Sequence, residues 1–307
     1  MGGNSTLLIF TKRCVKITRI IHIWDQAGIS AILAKYQRNA GHDVKVFKKT
    51  GWDPYKILEY YGEKTWDGEK IEYARECMYE PKGYDIIHVH DLWQIIPFLR
   101  LFYPKKTIIL HYHGTILRNC KKWKRIIAEK CASKVLVATK DLLKYGSDFI
   151  YVPNPVDTEL FDKKLLQDCG CVPEKNNMAS IVIKADMTIN AVKSLLMLND
   201  INVKLDARQW KEQKLPYAYM PKNLLKNEFF LDIFMWKGGL MDAHSTAGLQ
   251  AMAIGVPTLC SDFKWRDSLP EEHKPNNVVN MLDRIYETEC LKHNSMIKKQ
   301  LDNRIHN

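Results

Sequence analysis

Ser245, Thr246, Ala247 and Gly248 open a short apolar run, Ala247 to Leu259, that reads as a helix stopped by Gly255 and a strand begun at Pro257. Polar residues from Asp242 to Thr246 lead into it. The first turn of a helix exposes unpaired backbone N–H groups and the positive end of the helix dipole. Such a place binds anions, phosphates above all. Ser245 or Thr246 can cap the helix, and either hydroxyl, with the N–H groups up to Gly248, can also hold a diphosphate. Two cations are candidates to share that charge: Arg208, at a probable strand, and Lys237, which follows a strand and precedes two glycines. Plain surface charge is the alternative for both.

A second chemical group is His113. It ends the run Thr107 to His113, which reads as a buried strand, and His111 shares its face because side chains alternate along a strand. Strand ends of this kind line the ligand crevice of open α/β sheets, where a histidine can hydrogen-bond a hydroxyl or help orient an acceptor. His88 and His90 end another such strand. Gly28 lies in the loop after the first strand, where a side chain would block the close approach of a ligand; a plain turn glycine is the alternative.

Composition narrows the classes. A length of 307 residues suits two domains. No apolar run approaches the roughly 20 residues of a membrane span, and the start, broken at Lys12 and Arg13, is too weak for a signal peptide. The eight cysteines form no C-x-x-C pair, and Cys169 and Cys171 are too isolated for a zinc site, so reduced thiols in a cytoplasmic protein are expected. A net charge of +11 favours an acidic partner. Arg118, Lys121, Lys122, Lys124 and Arg125 gather around Trp123. That helix fits peripheral contact with an anionic membrane at its cytosolic face, or it is a solvated surface. No nucleic-acid-binding module is recognisable, so a nucleic-acid partner rests on charge alone and is not expected.

The elements that must position these groups alternate. Strands at 19–24, 42–47, 84–90, 107–113, 134–139 and 149–152 are separated by helices, among them 31–40 and a basic helix near 119–131. Such alternation predicts a doubly wound parallel sheet with helices on both faces. A linker follows, then strands near 180–183, 203–205 and 229–236, a helix near 191–198, and the glycine-stopped helix and strand of the opening. The tail from Asn276 is helical and charged. The expected division is an N-terminal domain over 1–152, a short C-terminal domain over 153–280 and a helical tail over 281–307.

Several of these segments, in this order, resemble the GT-B glycosyltransferases, most closely the large retaining group called family 4. They are Asp85-Ile86-Ile87-His88-Val89-His90, His111-Tyr112-His113-Gly114-Thr115, Val152-Pro153-Asn154-Pro155-Val156-Asp157 and Leu249 to Pro257. The resemblance implies an α/β fold of two facing Rossmann-like domains, the first holding a hydroxyl acceptor (a glycan or a lipid-linked molecule) and the second a nucleotide-diphosphate sugar. It implies no resident cofactor and no metal. His113 matches a histidine near the transferred sugar, and the Gly28 loop would face the reacting groups. Asp242 and Gln250 take positions where the family carries two glutamates eight residues apart. The first approaches the donor sugar and the second binds the ribose hydroxyls. Gln250 can hydrogen-bond a diol but adds no charge. The family's basic pair in the first βα unit of the second domain is missing near Lys184, and Arg208 and Lys237 are its candidate replacements. Two functions follow: sugar transfer to a hydroxyl, with retention implied by the resemblance alone, or binding of a nucleotide sugar or glycan without transfer.

Overall fold

The structure is a computed structural model and describes residues 17–168, 170, 179–183, 189–198, 205–209, 215–236, 239–241 and 243–305. The first half alternates strand and helix. Its strands are β1 (Arg19–Ile23), β2 (Asp43–Phe47), β3 (Ile86–His90), β4 (Thr107–Tyr112), β5 (Lys134–Val137) and β6 (Ile150–Tyr151). Its helices are α1 (Ile29–Asn39), α2 (Ile57–Tyr60), α3 (Lys70–Tyr79), α4 (Ile96–Phe102), α5 (Thr115–Asn119) and α6 (Lys122–Cys131). The second half holds α7 (Lys163–Asp168), β7 (Ala179–Ile183), α8 (Ile189–Leu198), β8 (Leu205–Gln209), α9 (Met220–Leu225) and β9 (Phe229–Asp232). A small hairpin of β10 (Met235–Trp236) and β11 (Gly239–Leu240) comes next, then α10 (Thr246–Ala253), β12 (Thr258–Cys260), β13 (Trp265–Arg266) and the long α11 (Pro275–Ile305).

β1 to β6 pair in the order β2-β1-β3-β4-β5-β6, every pairing parallel. The second sheet runs β13-β12-β9-β7-β8, parallel except for the edge strand β13. Near-continuous apolar strands such as Ile108, Ile109 and Leu110, all fully buried, are what a sheet covered on both faces requires. The fold is therefore α/β, with two Rossmann-like parallel units. In both sheets the strand order reverses beside the first strand of the unit, between β1 and β3 and between β7 and β9. Ligand crevices of open sheets form outside the strand C-termini at such reversals.

Three apolar clusters hold the halves. One lies on the face of the first sheet that carries Ile21, Ile87 and Leu110. The opposite face carries Ile20, Ile86 and Ile109 and is covered by α1 and by Val278, Val279, Leu282 and Tyr286 of α11. The charged tail thus belongs, through one apolar stripe, to the core of the first unit, and its helix starts at Pro275. The third cluster joins Leu249, Met252 and Ile254 of α10 to Val156, Phe161 and Tyr217, and it includes Ile57 of the first unit. The Tyr217 N–H also donates to the Tyr55 carbonyl at 2.8 Å. The two units touch along this seam.

Candidate functional site

His113 follows β4 at the C-terminal edge of the first sheet and is half-buried. Its backbone N–H donates to Asp91 Oδ1 at 3.0 Å. Its Nδ1 lies 2.9 Å from Asn154 Oδ1 in the segment leaving the first unit, and its Nε2 lies 2.8 Å from His90 Nδ1. Asp91 is buried, and burial raises its pKa against the opposing pull of His113 and Arg118. Backbone strain collects at this edge. Trp24 (φ 72°), Ala27 (φ 55°) and Asp91 (φ 57°) are non-glycine residues in the left-handed region, all just past the ends of β1 and β3. Such residues cost energy and cluster where a site holds them.

Behind His113 stands a face of imidazoles. His22, His88, His90 and His111 are completely buried on the sheet face under α1 and α11. The rings of His88 and His90 stack 4.3 Å apart. Desolvation disfavours the imidazolium form, lowering His22 to about 4 and holding His88, His90 and His111 well below the usual range. His90, His111 and His113 offer nitrogens within 4.8 Å of one another, a set able to ligate a metal.

Gly28 has a reason other than ligand access. Its φ is +83°, its N–H donates to Asp25 Oδ2 at 2.9 Å, and an added Cβ would lie 2.6 Å from Ile57 Cγ2. Asp25 also accepts from the N–H of Ser30 at 2.8 Å, so this carboxylate caps α1.

The start of α10 is built in the same way. Ser245 caps it, its Oγ accepting from the Gly248 N–H at 3.0 Å. The Asp232 carboxylate, at the end of β9, accepts from the Ser245 N–H at 3.1 Å and pairs with His244 Nδ1 at 3.0 Å. Gly248 is required because a Cβ there would collide with that carboxylate. Burial alone would lower the His244 pKa, but Asp232 and Cys260 outweigh it and raise it to about 10, so an imidazolium stands beside the helix start. Asp232, His244 and Cys260 form another set with metal-ligating chemistry, as do His22, His88 and His90. Thr246 and Ala247 are partly exposed, whereas Gln250 is buried at 4% and contacts Tyr217 rather than an open surface. Asp242 and Lys237 lie outside the described residues. Arg208 is on β8, and only its backbone is described.

Arg118 and Arg125 depart from the expected membrane face. Both are buried, at 8% and 2%. Arg118 forks onto Asp141 (2.9 Å) and Thr139 (3.2 Å), and Arg125 pairs with Glu129, one turn on. A carboxylate within reach and an aromatic lining draw a guanidinium inward. The exposed face keeps Lys121, Lys122 and Lys124 beside Trp123 and Ile127, which are 68% and 62% exposed. The helix α4 packs on α6 and exposes Phe98, Leu101 and Phe102. A groove of about 390 Å³ runs along α6, lined by Lys122, Lys130, Lys134, Tyr145 and Phe149. Among the described residues no helix is long and apolar enough to cross a membrane.

Arg118 also joins the two edges. It fills the space beside Gly114 that a Cβ would need, and its guanidinium lies 5.5 Å from the ring centre of Phe234, two residues beyond Asp232. The His113–Gly114 turn and the start of α10 therefore approach one another across Arg118 and Phe234. Sequence reasoning missed Asp91, Asp232 and His244. A histidine directly before the Ser245 cap, with an aspartate closing the preceding strand, was the available signal.

No protein-family model matches the chain, and no curated protein matches it in sequence. Solved structures similar to it include a UDP-GlcNAc 2-epimerase from Methanocaldococcus jannaschii, with 11% identity over 86% of this chain and 98% of that one at a TM-score of 0.48. A sucrose-phosphate synthase from Thermosynechococcus elongatus gives 12%, 93%, 100% and 0.48 on the same measures. MurG from Acinetobacter baumannii gives 12%, 92%, 92% and 0.42. Likeness at this level assigns no role to any residue.

Proposed function

We propose that the protein transfers a sugar from a nucleotide-diphosphate donor to a hydroxyl acceptor. One observation carries this reading: the His113 strand end of one parallel unit meets the capped, imidazolium-flanked start of α10 in the other, across Arg118 and Phe234. In this reading the Thr246 and Ala247 amides, the Ser245 and Thr246 hydroxyls and the His244 cation receive the diphosphate, with Lys237 and Arg208 as further cations. His113 contacts the sugar or the acceptor. Transition-state stabilisation is electrostatic: charge building on the departing diphosphate is met by groups already in place. The exposed Lys121, Lys122, Lys124, Trp123 and Ile127 of α6, with the apolar residues of α4, suit a lipid-linked acceptor at an anionic surface. Configuration at the transferred carbon, retained in the family resemblance, belongs to this proposal too.

A second reading, binding without transfer, is favoured by the burial of Gln250 against Tyr217, which removes the expected ribose contact. A thermal-shift screen of nucleotide sugars with a parallel assay for released nucleotide separates the two. A donor at about a hundredfold its dissociation constant stabilises the native state by about 2.7 kcal/mol. A shift with nucleotide release supports transfer, and a shift without release in the presence of diverse acceptors supports the second reading. No shift with any nucleotide sugar overturns transfer and nucleotide-sugar binding together, and leaves glycan binding alone.

A further inference from the structure

The side chains that meet behind the start of α10 come from three segments held in fixed relation. Asp232 closes β9 and Cys260 closes β12. The two are direct neighbours in the parallel pairing, so their side chains leave the sheet on the same face. His244 arrives from the loop before α10, with its Nδ1 3.0 Å from Asp232 Oδ2. A nitrogen, a sulfur and a carboxylate oxygen thus lie within 4.8 Å of one another. The frame around them is tied down. Asp232 Oδ1 accepts from the Ser245 N–H (3.1 Å), and the Asp232 carbonyl accepts from Ser261 Oγ (3.3 Å). The Cys260 N–H donates to the Lys264 carbonyl (3.1 Å), and the Cys260 carbonyl accepts from the Phe263 N–H (2.9 Å).

We propose that Asp232, His244 and Cys260 bind a divalent ion of zinc's chemical class. Zinc accepts imidazole, thiolate and carboxylate together. Around one tetrahedral ion such atoms stand about 3.3–3.6 Å apart, between the 3.0 Å contact and the 4.8 Å limit found here. Thiolate and imidazole select against magnesium and calcium, which take oxygen ligands. Charge separates this set from the two imidazole sets of the first sheet. Those offer neutral nitrogens only, which would leave the ion's whole charge inside the core. Here a carboxylate and a thiolate cancel it. Ligation displaces the His244 and Cys260 protons, and the ion's charge takes the place of the imidazolium. Asp232 and Cys260 are sealed, whereas the His244 side chain is 24% exposed, so an ion enters from the His244 side. Three protein donors leave the fourth position to water or a phosphate oxygen. Only the identification of that oxygen with the donor diphosphate rests on the transferase reading. The family resemblance implies no metal, and this site departs from it.

The test is a titration of the untagged, chelator-treated full chain with Co(II), which takes zinc's sites and has a visible spectrum. The expected result is stoichiometric binding with a thiolate-to-cobalt charge-transfer band in the near ultraviolet and the strong visible bands of a four-coordinate ion, all displaced by zinc. Cys260→Ser is expected to abolish the charge-transfer band. Cys260→Ser and His244→Gln are each expected to weaken binding by more than the roughly 10–100-fold lost when a residue behind a metal ligand is removed. Inorganic phosphate is expected to shift the visible bands while the ion stays on the protein. No binding, binding without the charge-transfer band, or a band that survives Cys260→Ser and so belongs to other thiols would overturn the proposal. So would binding kept in Cys260→Ser and lost in His113→Gln, which puts the ion on the imidazole face. A visible spectrum unmoved by phosphate would overturn the open fourth position. If Cys260→Ser does not fold, His244→Gln, at a partly exposed side chain, decides. No nucleotide sugar enters the measurement, so its failure leaves the transferase reading standing, and the reverse also holds.

Discussion

At the scale of single residues, the charge of His244 is the feature most open to measurement. Its folded pKa of about 10 lies above the ordinary value near 6.5, so folding takes up a proton between the two. The stability it contributes is complete below about pH 6.5 and is lost as pH rises toward 10. Denaturant titrations of the native protein and His244→Gln should therefore differ most at pH 6 and converge by pH 10. A constant difference across that range would mean that Asp232 does not hold the proton. Gly248→Ala tests the same contact sterically, since its methyl group must push the Asp232 carboxylate off the helix start. A loss of about 1–3 kcal/mol is expected by denaturant unfolding, whereas an ordinary helix position would gain from alanine. For His113→Gln, the transferase reading expects turnover about 10²–10⁴ lower with little change in melting temperature. Full activity in that variant would remove His113 from the reaction.

At the scale of elements, the same device appears in both halves. An aspartate just after a strand or at its end, Asp25 after β1 and Asp232 closing β9, turns back onto the first N–H groups of the next helix. Each carboxylate takes part of the positive potential that would otherwise face an anion. At α10 the His244 cation offsets that charge, while at α1 Lys48 sits 3.4 Å from Asp25. The linker has an anchor of its own. Asp157 is fully buried and accepts from Lys35 (2.9 Å), Tyr36 (2.9 Å) and Tyr61 (2.7 Å) of the first unit. Burial alone would raise its pKa, but Lys35, Tyr61 and Tyr36 outweigh it and hold the carboxyl below the usual range. Asp157→Asn removes the charge that Lys35, Tyr36 and Tyr61 share, while Lys35 keeps its ion pair with Glu159 at 2.7 Å, and should cost roughly 1.5–3 kcal/mol. A loss under 1 kcal/mol in equilibrium unfolding would show that the anchor is dispensable. Most strands of the first unit were readable from the sequence because a fully covered strand must be apolar along its whole length. The basic helix read near 119–131 is α6, which starts at Lys122; Arg118 lies before it on the short α5 and turns inward to Asp141. The strand expected over 229–236 stops at Asp232, where its partner β12 ends at Cys260, and resumes as the hairpin strand β10.

At the scale of the whole molecule, four buried neutral imidazoles make the protein sensitive to acid. A folded pKa lowered below the unfolded value means that the unfolded chain binds the proton more tightly. Each of His22, His88, His90 and His111 then contributes stability present above about pH 6.5 and lost as pH falls, at about 1.4 kcal/mol per pH unit. Unfolding free energy should drop steeply between pH 6.5 and 4, with an uptake of several protons. A flat profile over that window would mean that the imidazoles are hydrated or metal-bound rather than sealed.

The amino-acid sequence determined by itself the alternation of strand and helix, the glycine-stopped helix after Ser245 and the strand that ends at His113. Apolar period and helix caps act over a few residues and leave their mark in the order of the chain. Tertiary structure decided what each polar group faces. It turned Arg118 and Arg125 inward, buried Gln250 against Tyr217, laid the charged tail on the first sheet and brought His244 to Asp232. It also stacked histidines from three separate strands into one hydrogen-bonded face. Burial and partnership depend on groups distant in the chain, and no local pattern encodes which of them will meet.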